Sequence, residues 1–304
     1  MLVLSENHDA ARVLKFNRPD RLNAWTPEMG RRYFDLLEEA ERDPTVRVIL
    51  VTGVGKGFCS GADFQALAAI QAAGVRSGDH ADDQADDHAG DHAGDRDEGR
   101  VGGGLGNRED GRDEGRTGQR AGLPDFEPDP RPATFPLTLR KPVIAVVNGA
   151  CAGLGMVYAL VCDLVFTAED AKWTTAFSRR GLIAEYGLAW VLPKLAGQAR
   201  AMDLLLSGRT FTGSEAYALG LACRAVPGER LLDEALAYAR ELAATSSPTS
   251  MAVIKRQVWG DWERPLDESR DRAVRLMMES FGGPDFAEGV AGFLERRPPR
   301  FRPL

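Results

Sequence analysis

The chain has almost nothing with which to build a histidine-dependent site: of its four histidines, His80, His88 and His92 share one low-complexity stretch, and only His8 lies outside it. No Ser-His-Asp or Cys-His set can be assembled from that supply, which excludes a nucleophilic hydrolase of that type. Cysteine is equally sparse. Cys59, Cys151, Cys162 and Cys223 are scattered without a CxxC spacing, so they read as buried or loop thiols rather than as disulfides or zinc ligands, and no metal site is expected. Long apolar runs are missing too. The longest, such as residues 143–147, are strand-sized, and residues 1–7 carry neither a basic region nor an apolar stretch long enough for a signal peptide. A soluble, cytoplasmic protein with no membrane partner is expected. No basic patch with interleaved aromatics points to nucleic acid. The glycine loops lack the Gly-Lys-Ser/Thr ending of a P-loop and the spacing of a dinucleotide site.

Acid is what the chain has in quantity, and it is concentrated. Residues 75–125 hold 14 Asp and Glu against seven Arg, a surplus equal to the formal charge of −7 of the whole chain, so the remainder is near neutral. Residues 74–122 are rich in Gly, Asp and Arg and nearly devoid of large apolar side chains. Such a segment cannot repay its ordering entropy and is expected to form a disordered acidic insertion. Its three histidines read as part of a solvated tract, because disordered backbone does not preorganise metal ligands. Excision of residues 74–122 is expected to leave the melting temperature nearly unaltered in a thermal melt; a large loss would show that the segment packs.

Outside that insertion one order of elements recurs. Residues 1–4 and 12–16 read as strands. Thr26 then suits an N-cap, Pro27 an N1 position and Glu28 a first-turn acid, before Met29, Tyr33, Leu36, Leu37 and Ala40 recur at helical spacing up to the stop at Asp43-Pro44. Residues 46–52 are a buried-type strand and 53–61 a glycine loop. A second round follows, with a strand at 143–147, another glycine loop, a helix near 156–161 and a strand at 164–167. The recurrence predicts stacked ββα-like units. Beyond Gly187 the pattern is mostly helical, over 188–195, 199–207, 214–219, 231–244, 248–262 and 267–281. The expected organisation is an α/β core of residues 1–73 and 123–196, the insertion 74–122, and a helical C-terminal region 197–304.

The two glycine loops carry the chemistry. Lys56-Gly57-Phe58-Cys59-Ser60-Gly61-Ala62-Asp63 and Val147-Asn148-Gly149-Ala150-Cys151-Ala152-Gly153-Leu154-Gly155 each follow a β-branched apolar run and lead into a helix-like segment. Gly permits a tight turn and close ligand approach, and a helix N-terminus adds unpaired donors and a favourable dipole. Backbone N–H groups from the two loops are therefore expected to converge on one oxygen that gains negative charge, as an oxyanion hole does.

The series of motifs resembles the enoyl-CoA hydratase/isomerase (crotonase) superfamily. Asn17-Arg18-Pro19 with Asn23-Ala24, Phe58 to Asp63, Asn148-Gly149 to Gly155, Cys162-Asp163, Leu206-Ser207-Gly208-Arg209, Ala218-Leu219-Gly220-Leu221 and the tail from Asp285 to Pro298 fall in the order of that family and cover nearly everything outside the insertion. The resemblance implies a crotonase-like spiral of ββα units, a C-terminal helical region used in trimer or dimer-of-trimers assembly, and acyl-CoA substrates with no cofactor beyond their CoA moiety. Carried over by position, the oxyanion donors are the Ala62 and Leu154 amides. CoA contacts fall to Leu22, Ala24, Gly61, Asp63 and Phe64. Lys255 is placed within reach of a CoA phosphate, with a solvated helix charge as its competing reading, and Asp63 has helix capping as its own.

Departures from the family narrow the chemistry. The two glutamates that hydratases use to activate water and protonate carbon are replaced by Val157 and Phe177, and neither can move a proton. One acid remains in a matching place. Glu185 resembles the active acid of dienoyl-CoA isomerases and ring-epoxide isomerases; set among Leu182, Ile183, Ala184 and Leu188, it is expected to be partly desolvated, with a raised pKa. Its competing reading is a first-turn acid of the helix beginning near Gly187. Arg179 and Arg180 are candidates to pair with it or to line a subunit contact. The expected activity is double-bond isomerisation with Glu185 as proton shuttle. Hydration by Glu185 alone, a non-catalytic acyl-CoA-binding scaffold, and a thioester hydrolase or other lyase stand as alternatives.

Overall fold

The computed structural model describes residues 1–63, 68 and 129–304. The chain divides into two units, Met1–Phe64 with Glu127–Leu304 and Gln65–Phe126, and the fold described is that of the first. The expected insertion and Phe64 lie outside the described residues.

Strands β1 (Val3–His8) and β2 (Ala11–Phe16) form an antiparallel hairpin that leads into helix α1 (Pro27–Arg42). Thr26 caps α1 by accepting a hydrogen bond from the Met29 N–H at 3.3 Å, with Pro27 at the first helical position, where its missing N–H costs nothing. Met29, Tyr33, Leu36, Leu37 and Ala40 are buried, so the apolar stripe of the sequence faces the core. Next come β3 (Val48–Gly53), β4 (Gly57–Cys59), β5 (Val143–Val147), β6 (Ala150–Ala152), α2 (Leu154–Leu160), β7 (Leu164–Ala168) and β8 (Lys172–Thr174). The remainder comprises α3 (Leu188–Ala196), α4 (Gln198–Ser207), β9 (Phe211–Thr212), α5 (Gly213–Ala218), β10 (Arg224–Val226), α6 (Leu231–Thr245), α7 (Pro248–Asp261), α8 (Leu266–Phe281) and α9 (Pro284–Leu294).

Long and short strands sort into two sheets. The six-stranded sheet has the order β1-β2-β3-β5-β7-β10 and is parallel from β2 onward; the four-stranded sheet has the order β4-β6-β8-β9 and is parallel from β4 to β8. Every residue of β5, and β3 from Val48 to Thr52, is buried, as expected of parallel strands covered on both faces. The second sheet was not legible beforehand. Residues 53–61 read as loop, yet β4 lies inside that range, because a three-residue strand has no periodicity of its own and forms only where a neighbour supplies backbone partners. Helix α9 is likewise an addition to the helices expected from the sequence.

Candidate active site

Pairing of β4 with β6, with Gly57 beside Ala150 and Cys59 beside Cys151, brings the two glycine loops together from sequence positions far apart. The close fit is visible at Gly155. A Cβ there would lie 2.0 Å from the Cys59 carbonyl oxygen, so only glycine lets the start of α2 press against β4. At Gly61, φ is +100° and a Cβ would stand 3.1 Å from the Ala152 carbonyl oxygen and 3.9 Å from the Leu154 nitrogen. The backbone preceding Ala62 thus runs directly beside the Leu154 amide.

The first loop is held by the segment before α1. Ser60 N–H donates to Leu22 O at 3.0 Å, Trp25 N–H to Gly61 O at 2.8 Å, and Asp63 N–H to Trp25 O at 3.0 Å. Asn23, fully buried, accepts from Arg18 N–H at 2.7 Å and donates to the carbonyls of Gly57 at 2.7 Å and Val54 at 3.1 Å. Arg18 donates to Ala24 O at 2.5 Å and to the Asp63 carboxylate at 2.9 Å. Asn148 clips the second loop to the first by accepting from Gly53 N–H at 3.2 Å and donating to Gly55 O at 2.9 Å. The backbone is thus held on both sides of Ala62, at Gly61 O and Asp63 N–H. Among the described residues neither the Ala62 nor the Leu154 amide donates to a protein acceptor. Both are donors at a chain turn, and Leu154 opens α2, where the helix dipole favours negative charge.

Around these amides the side chains are hydrocarbon at both positions where a hydratase glutamate was considered. Val157, on the first turn of α2, is buried, as is Phe177, whose ring edge lies 3.7 Å from where a Gly153 Cβ would sit. Phe177 O accepts from Leu182 N–H at 3.0 Å, folding the chain back toward Glu185. Glu185 lies on the connection into α3, a helix that packs on α2. It is half-buried, and desolvation pushes its carboxyl pKa up from the ordinary glutamate value. Among the described residues its carboxylate has no hydrogen-bond or ion-pair partner, and burial alone moves its pKa. Leu188 is buried, whereas Ile183 is 80% exposed, so Ile183 does not wall the carboxyl as the sequence suggested. Arg179 donates to Ser207 O at 2.8 Å rather than to Glu185.

The residues considered for CoA contacts divide. Leu22 is exposed in a left-handed conformation, Ala24 and Gly61 are buried, and Asp63 is paired with Arg18. Lys255 requires a correction. It is buried, its Nζ lies 2.7 Å from the Asp163 carboxylate, and it donates to Pro136 O at 2.9 Å and Lys141 O at 3.1 Å. Three oxygens use up the three donors of an ammonium, leaving none for a phosphate and no solvated charge. What the sequence did not disclose is the role of Arg18 and Trp25 in holding the first loop. Their motif marked the place, but the partners, Asp63 and Gly61, are far along the chain.

Two stacked sheets of ββα units with a C-terminal helical region define the crotonase fold. The profile of the enoyl-CoA hydratase/isomerase family matches residues 6–84 and 135–303, and the chain belongs to that family. It is 33% identical over 299 residues to 1,2-epoxyphenylacetyl-CoA isomerase of Escherichia coli, covering 98% of this chain and 97% of the relative. A probable enoyl-CoA hydratase of Mycobacterium leprae is 30% identical over 300 residues, covering 98% and 97%. A solved structure of a probable enoyl-CoA hydratase/isomerase from Mycobacterium abscessus superposes with a TM-score of 0.77 at 30% identity, covering 99% of both chains.

Proposed function

We propose that this enzyme moves the carbon–carbon double bond of an enoyl-CoA thioester. The Ala62 and Leu154 amides receive the thioester oxygen. Glu185 takes a proton from the α-carbon, the electron pair spreads through the dienolate onto that oxygen, and Glu185 returns the proton at the γ-carbon as the double bond shifts. The observation that carries this reading is a half-buried carboxyl of raised pKa on the connection into α3, together with buried hydrocarbon at both Val157 and Phe177. One acid able to accept and return a proton suffices for isomerisation, whereas water activation by the two-carboxylate route needs a second. The Escherichia coli relative, named as an isomerase, supports it. Relatives named as hydratases favour the second reading, hydration through Glu185 alone.

Mass spectrometry of a panel of enoyl-CoA thioesters after incubation separates them. Isomerisation leaves the mass unchanged while the product elutes differently; gain of one water supports hydration, and unaltered substrate despite measurable CoA binding supports a scaffold. Gly61→Ala is expected to lower kcat by about 10²–10³-fold, the cost of losing one aimed oxyanion donor, because a Cβ at that φ must displace the backbone leading to Ala62. Steady-state kinetics of the variant checks it.

The reading includes an assembly, a homotrimer or a dimer of trimers formed through the C-terminal region. Helix α8 buries no residue, and Leu266, Met278, Phe293 and Leu294 are exposed along α8 and α9, a concentration of apolar surface that a second copy would cover. A cytoplasmic location and the absence of a cofactor beyond the CoA moiety belong to the same reading. Among the described residues no helix is long and apolar enough to cross a membrane.

A further inference from the structure

The two amides come from separate segments, and their usefulness depends on a separation fixed to a fraction of an ångström. Backbone pairing of β4 with β6 ends before either donor is reached, since the register covers Gly57 to Cys59 against Ala150 and Cys151. Something beyond the sheet must fix the last step. The Trp25 backbone grips both sides of Ala62, through Gly61 O and Asp63 N–H. Its indole stacks on the Tyr158 ring with centroids 3.9 Å apart and planes at 26°. Tyr158 lies four residues after Leu154 on α2, on the same helical face. One ring contact therefore joins the element that carries each donor.

That contact is itself tightly seated. Tyr33 meets both rings edge-on, at 5.8 Å from Trp25 and 5.8 Å from Tyr158, and Phe16 meets Trp25 edge-on at 5.5 Å. Helix α1 carries Gly30 in its first turns, where a Cβ would stand 3.1 Å from the Trp25 indole, so the helix surface is cut away to admit the ring. Glycine inside a helix costs about 1 kcal/mol relative to alanine, and room for the indole is what the structure shows in return.

We propose that the Trp25–Tyr158 stack is a positioning pair that sets the separation of the Ala62 and Leu154 amides. The proposal rests on the reading that those amides receive the thioester oxygen. Neither ring takes part in proton transfer. Their effect passes through the backbone of the first loop and through the first turn of α2.

The test uses the full chain and butyryl-CoA labelled with carbon-13 at the thioester carbonyl, a saturated ligand that cannot isomerise. Difference infrared spectra report how strongly the bound carbonyl is polarised. In the parent the carbonyl band moves to lower frequency than in free ligand. Tyr158→Leu is expected to return the band toward its free position and to lower kcat on the enoyl substrate by about 10- to 100-fold, the scale for displacing a catalytic group by up to an ångström. Butyryl-CoA affinity and KM should stay within about threefold, since uniform binding is not what misplaced donors remove. Trp25→Leu, which leaves α2 unaltered, gives the same measurement if Tyr158→Leu does not fold. A band and kcat unchanged in Tyr158→Leu or Trp25→Leu overturns the positioning role alone. No band shift in the parent overturns the oxyanion reading and this inference with it.

Discussion

Glu185→Gln is expected to reduce turnover by at least about 10³-fold while acyl-CoA affinity changes less than about twofold. Glutamine has the shape of the acid and none of its basicity, and general acid–base groups typically contribute 10²–10⁴-fold, so the larger part of that range falls on the only proton carrier assigned to the site. In free-energy terms a thousandfold loss is about 4 kcal/mol of transition-state stabilisation. The pH profile supplies a second readout. Burial raises the pKa of Glu185, so the carboxylate that accepts the proton is lost as pH falls through a value above the ordinary glutamate range. The acid limb of kcat/KM should sit there in the parent and vanish in the variant. Stability should move the other way. A glutamate whose folded pKa is raised binds more protons folded than unfolded, so folding weakens as pH rises through that window, and Glu185→Gln should melt no lower than the parent at neutral pH. Retention of more than a tenth of parental kcat would remove Glu185 from the mechanism.

The largest stability effect is expected at Lys255. Lys255→Met strands the Asp163 carboxylate, which keeps only the Val143 N–H at 2.7 Å and the Trp259 indole N–H at 2.9 Å, and it leaves the Pro136 and Lys141 carbonyls without their donor. Removing one member of a buried ion pair costs about 3–5 kcal/mol, which for a domain of this size corresponds to roughly 10 °C in Tm. Lys255→Met combined with Asp163→Asn should recover a substantial part of that loss, because no uncompensated charge remains. Scanning calorimetry of both variants checks the pair. A shift of less than about 2 °C in the single variant would mean that water reaches the carboxylate and replaces the ammonium.

Several features were fixed locally and could be read without coordinates. The N-cap of α1 is set by Thr26 and Pro27, and the apolar stripe of that helix by the spacing of Met29, Tyr33, Leu36 and Leu37. The buried strands β3 and β5 follow from short apolar runs rich in β-branched residues, and the glycine loops from residues that adopt turns and close approaches a Cβ would block. Periodicity and steric permission act over a few residues, so they are written in order along the chain. Hydrocarbon at Val157 and Phe177, which the resemblance places where hydratases carry their glutamates, was legible for the same reason.

Proximity was decided only by the folded chain. Four short strands form the second sheet because partners from distant segments complete their hydrogen bonds, and none would hold by itself. The burial of Lys255 against Asp163, the exposure of Ile183, and the stacking of Trp25 on Tyr158 each depend on which helix lies over which strand. Residue type states what a side chain can do, while solvent access and the identity of its neighbour are set by packing, where apolar burial and backbone pairing act on the whole chain at once.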